Sequence, residues 1–114
     1  VSEIAGLRLA HLGPDYSRPG NLPFVTDNEG RPLARNPFLD VRVRRALNMA
    51  IHREALAERA MDGMAVPAGQ WMPRGTYSFD PDTPVPAFDP DGARRLLAES
   101  GFPNGFRTTL HTMN

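Results

Sequence analysis

Apolar side chains recur at helical spacing between Asp40 and Met61. Val43, Ala46, Leu47, Ala50 and Ile51 fall at i, i+3, i+4, i+7 and i+8, one face of a helix. Asp40 stands just before them, with a carboxylate able to accept from the free N–H groups of a first turn. A second helix starts near His52 and runs through Ala60. Its expected buried side is Leu56, Ala60 and Met61. Asp62-Gly63 ends it, Gly63 being free to turn left-handed. The pattern therefore predicts a helical pair over residues 40–61. A third helix is predicted over 89–101, capped by Asp89, with Pro90 in its first turn and Gly101 at its end. Ala93, Leu96 and Leu97 form its apolar stripe.

The strand signals are shorter. Leu7 to Leu12 alternates apolar and polar positions until Gly13-Pro14-Asp15 stops it. Asn104-Gly105 turns the chain into a strand over residues 105–113. Residues 14–39 show no sustained period, hold Pro19, Pro23, Pro32 and Pro37, and read as a long loop. Asp27-Asn28-Glu29-Gly30 is a turn within it. Residues 62–88 are a second loop, in which Trp71, Pro73, Tyr77 and Phe79 imply packing against something. Strand, helices and strand in this order give an α/β chain, a single partial domain over 1–114. Two strands make a poor sheet. The rest is expected from more of a parent protein or from a second copy, with self-association through open strand edges.

Composition narrows the function. Thirteen basic and thirteen acidic side chains cancel, so the basic surplus of a nucleic-acid binder is missing. No cysteine is present, which removes thiolate nucleophiles, disulfides and cysteine metal sites together. No apolar run approaches the roughly 18 residues of a membrane-spanning helix. The start, Val1-Ser2-Glu3-Ile4, lacks both Met and a signal-peptide pattern, and the chain stops after a strand-like segment. Both ends read as excised from a longer protein.

Candidate chemistry is sparse. His11, His52 and His111 lie far apart in sequence, without the local spacing of a metal site, although His11 and His111 would meet if their strands paired. Phe79-Asp80-Pro81-Asp82 repeats as Phe88-Asp89-Pro90-Asp91. Calcium needs six to eight oxygens around it; the first copy reads instead as a turn and the second as a helix start. Arg42, Arg44, Arg45 and Arg53 crowd one helical region, so a DNA-binding or regulatory module is the alternative reading. Glu54, Glu58 and Asp62 nearby fit a solvated face with local ion pairs better. Trp71, Tyr77 and Phe79 read as residues closing a loop onto the core, with a ligand platform as the alternative. No nucleophile elbow, P-loop or dinucleotide fingerprint occurs, and Ser2, Ser17, Ser78 and Ser100 lie outside any nucleophile context. Nothing points to an enzyme, a cofactor or a bound metal.

Ordered motifs carry a resemblance. Asn36-Pro37-Phe38-Leu39-Asp40-Val41-Arg42-Val43-Arg44-Arg45-Ala46-Leu47 is similar to a hallmark of the family 5 extracellular solute-binding proteins. So are Gly63-Met64-Ala65-Val66-Pro67 and Phe88-Asp89-Pro90-Asp91-Gly92-Ala93-Arg94-Arg95-Leu96-Leu97 with Glu99 and Gly101. His52 departs from the Asp usual in the family. The resemblance spans residues 36–114, and Leu7–Leu12 fits the preceding strand. It implies part of one lobe of a periplasmic-binding-protein-like (type II) clamp. The parent protein would be periplasmic or membrane-anchored and would carry a peptide or other small solute to the permease of an ABC importer, without nucleic acid as a partner. The last strand would run toward the cleft, which makes His111, Thr112, Met113 and Asn114 the implied ligand-binding residues. The main contacts would lie on other polypeptide, so the chain alone is not expected to hold solute.

Overall fold

The computed structural model describes residues 8–113. It contains β1 (Val25–Thr26), α1 (Val41–Met49), α2 (Arg53–Arg59), α3 (Pro90–Glu99) and β2 (Arg107–Thr108), with a 3₁₀ turn at Pro37–Leu39 before α1. The architecture is mixed α/β, with three helices and a two-stranded sheet. Residues 13–50 with 89–113 form one compact unit, and residues 8–12 with 51–88 form another.

The first unit holds the core. Leu22, Val25, Phe38, Val43 and Phe102 are buried together, and Leu33, Leu47, Leu97 and Phe106 pack partly buried against them. The side chains of α1 at Val43 and Ala46 are almost completely covered. α1 packs on α3, whose contribution at the contact is the small pair Gly92 and Ala93. A Cβ on Gly92 would run into the Asp89 carboxylate that caps α3 and the end of the Met49 side chain, so a larger residue there requires both side chains to shift. The Asp89 N–H donates to the Met49 carbonyl at 2.9 Å and ties the start of α3 to the end of α1.

Each helix end has a physical cause. Asp40 caps α1 by accepting from the Arg42 N–H, and Asp89 caps α3 by accepting from the Gly92 N–H. α3 ends in a Schellman motif. The Phe102 N–H donates to Leu97 O at 2.8 Å and the Gly101 N–H to Ala98 O at 3.1 Å, with Gly101 at φ 96°. Phe102 then drops into the core.

The strands differ from the alternation pattern. Residues 8–12 have no regular structure, and Leu7 lies outside the described residues. A strand exists only with a partner, and β2 is paired antiparallel with Val25–Thr26 instead, from within the long loop. The expected strand over 105–113 is paired only at Arg107 and Thr108. Its partner is short because Phe24 has φ 64° on one side and Asp27 begins a turn on the other. That turn follows the Asp27–Gly30 signal: the Gly30 N–H donates to Asp27 O, and Thr26 bridges to Pro32.

The second unit also corrects an expectation. α2 buries Ala57, while Leu56 and Met61 are more than half exposed and Ala60 is exposed. Periodicity identifies an apolar side but cannot supply the layer that would cover it.

Candidate functional site

The candidate residues sit where β2 leaves the sheet. Asn104-Gly105 makes the turn into it, with Gly105 at φ 71° and the Asn104 carbonyl accepting from Asn28 Nδ2 at 2.7 Å. Phe106 anchors the strand, its ring edge-on to Phe38 at 5.7 Å and to Phe102 at 5.1 Å. Beyond Thr108 the Thr109 N–H donates to the Phe24 carbonyl at 3.1 Å. His111, Thr112 and Met113 follow and are all exposed; Asn114 lies outside the described residues. Of these, His111 makes a ring contact, with Phe24, at 5.0 Å between centroids. Phe24 lies in a stretch of sequence without period.

The base under the strand is held by a polar lattice. Asn36 is buried at 3% exposure. Its Nδ2 donates to Asp15 O and Arg18 O, and its Oδ1 accepts from the Phe38 N–H, so one side chain pins the loop to the 3₁₀ turn. Asp40 Oδ1 accepts from the Arg42 N–H at 2.9 Å and from Arg42 Nε at 3.1 Å, while Oδ2 accepts from Arg42 Nη2 at 2.8 Å. Arg35 Nη1 stands 3.8 Å from the same carboxylate. The hydrogen bonds from Arg42, together with the positive charges of Arg42 and Arg35, hold the Asp40 carboxyl down at a pKa of about 2. Arg42 Nη1 reaches Glu99 O at 2.9 Å, and Arg35 Nη2 donates to Ser100 O. Both guanidiniums thus satisfy carbonyls at the end of α3, where the helix dipole favours cations.

These contacts bear on the arginine cluster. Arg42 is spent on Asp40 and Glu99, and Arg44 donates to Phe38 O and Leu39 O with its guanidinium over the Tyr16 ring. A helix that reads phosphates would turn these donors outward.

The other candidates are placed apart. His11 lies edge-on to Trp71 at 4.5 Å, and His52 lies against Phe88 at 4.4 Å. His52 caps α2 with Nδ1, which accepts from the Ala55 N–H at 3.1 Å, so the departure from the family's Asp keeps the capping function. Asp80 organises a turn, accepting from the Asp82 N–H and Thr83 Oγ1, and these bonds lower its pKa. Asp89 serves as a cap. Within their own unit Trp71 and Tyr77 are not packed away: Trp71 is 65% exposed and Tyr77 fully exposed, while Phe79 is half-buried under Arg74. Their unit has too few large buried side chains to receive them.

Comparison with known proteins identifies the lineage. The family model for "Bacterial extracellular solute-binding proteins, family 5 Middle" matches residues 5–114. The chain is 39% identical over 88 residues to heme-binding protein A of Haemophilus influenzae, covering 77% of this chain and 15% of that protein. It is 45% identical over 78 residues to the glutathione-binding protein GsiB of Escherichia coli strain K12, covering 68% of this chain and 15% of that protein. The GsiB of Pectobacterium atrosepticum is 44% identical over the same length. The chain spans about 15% of the length of these curated relatives. With the family pattern matched along nearly its whole length, the chain belongs to the family 5 bacterial extracellular solute-binding proteins.

Proposed function

We propose that this chain is part of one lobe of the solute-binding component of a bacterial ABC importer, delivering a small peptide-like solute to the membrane permease. The observation that carries the reading is the family match over residues 5–114. Similarity to proteins named for glutathione, a tripeptide, supports a peptide-like solute. The protein works by recognition and closure rather than by making or breaking bonds. It acts outside the cytoplasmic membrane, in the periplasm or anchored at the cell surface. Among the described residues no helix is long and apolar enough to cross a membrane.

In this reading His111, Thr112, Met113 and Asn114 border the solute, and the remaining contacts come from other polypeptide. The chain alone then binds no solute measurably. Calorimetry with the full-length gene product, titrated with reduced glutathione and with dipeptides, tests the proposal. Binding is expected, weakened about tenfold or less by His111→Ala or Thr112→Ala, since one lost polar contact is worth about 1 kcal/mol. A full-length protein that binds none of these probes would overturn it, as would variants that bind like the parent. Tight binding by residues 1–114 alone would contradict the shared-site feature.

A further inference from the structure

Phe24 combines two features that are costly together. Its backbone has φ 64°, the left-handed region that a bulky side chain seldom adopts. The residue is nevertheless 65% exposed, so burial does not offset the strain. Glycine or asparagine would occupy this conformation more cheaply. The conformation is clamped on both sides: the next residue, Val25, is in the core, and the Phe24 carbonyl accepts from the Thr109 N–H. The clamp delivers the ring to one place, against His111 just past the end of β2. The ring contact is edge-on, with an interplanar angle of 67°. With the residue mostly exposed, aromatic area remains open to an incoming group.

We propose that Phe24 is a solute-contacting residue that selects solutes carrying a flat aromatic group. The proposal rests on the reading that residues 111–113 border the solute, and it deepens that reading by naming a specificity residue outside them. The flat group is the side chain of a peptide or a porphyrin, and the probes separate these sources.

The test uses the full-length protein and calorimetry with Ala-Phe, Ala-Ala and haemin. Phe24→Asn keeps the left-handed backbone and removes the ring. It is expected to melt no lower than the parent and to weaken binding of Ala-Phe or haemin about three- to tenfold, as expected for one aromatic contact. Ala-Ala binding stays unchanged, and Phe24→Tyr retains affinity for the aromatic probe. The inference is overturned if Phe24→Asn binds the aromatic probes as the parent does, or melts lower and weakens all probes alike. If His111→Ala weakens binding while Phe24→Asn does not, only this inference fails. If the parent binds no probe, or neither substitution changes any affinity, the underlying reading fails with it.

Discussion

Residues 13–50 with 89–113 and residues 8–12 with 51–88 have similar access to apolar side chains but use them differently. The first set buries Leu22, Val25, Phe38, Val43, Ala46, Ala93 and Phe102; among large or small hydrophobics the second buries Ala57. Leu56, Met61, Met64, Val66, Trp71, Tyr77 and Phe88 stay exposed in that second set. The polar contacts follow the same division. Asn36, Arg42 and Arg35 link segments far apart in sequence, whereas Asp80 with Thr83 and His52 with Ala55 are local. Order in the first region comes from side chains converging on one core. In the second it comes from caps and turns, each worth about 1 kcal/mol or less. The segment carrying the candidate site belongs to the first region, so the site inherits a firm base.

The sharpest way to break the comparison is to truncate one aromatic residue in each region. Phe38→Ala should cost about 3–5 kcal/mol, enough to unfold much of a small domain, whereas Trp71→Ala or Tyr77→Ala should change stability by no more than about 0.5 kcal/mol. Urea titrations of the variants measure this, and similar losses in both regions would refute the division. Asn36→Ala should cost about 1–3 kcal/mol because it strips partners from Asp15 O, Arg18 O and the Phe38 N–H. Gly101→Ala should cost about 1 kcal/mol, placing a Cβ at φ 96° and against the Arg35 guanidinium, with a lower thermal midpoint as the readout.

Acid sharpens the contrast more gently. The Asp40 pKa is depressed in the folded chain, so its contribution is fully present above the ordinary carboxylate value near 4. It is lost as pH falls through about 2. Asp15 and Asp27 are lowered as well, chiefly by hydrogen bonds from Ser17 and Arg31. Thermal midpoints should therefore decline between about pH 4 and pH 2. Asp40→Asn should flatten part of that decline, and an unaltered profile would remove Asp40 from the account.

The helices were legible because their signals are local: Asp40 and Asp89 as caps, the Val43–Ala46–Leu47 stripe, and Gly101 as a stop. The α/β class and the family resemblance followed from the same motifs. Strand pairing was not legible, since it depends on which distant segment supplies a partner. Val25–Thr26 has no alternation to announce it, while Leu7–Leu12 alternates without forming a strand at residues 8–12. Burial on α2 failed for a related reason: Leu56 and Met61 lie at apolar positions, but a sequence pattern does not say what covers them. For the candidate site, His111, Thr112, Met113 and Asn114 are named by the family resemblance alone. The features on which the Phe24 proposal rests, a backbone angle and a neighbour far along the chain, are not visible in the sequence.

Native-state hydrogen exchange on this chain tests the division most directly. The amides of α1 and α3, from Ala46 to Met49 and from Arg94 to Ser100, should exchange only through opening that approaches global unfolding. Those of α2, from Leu56 to Arg59, should exchange through far cheaper local opening. Equal protection of α2 and α1 would contradict the claim that one core carries the order of this chain.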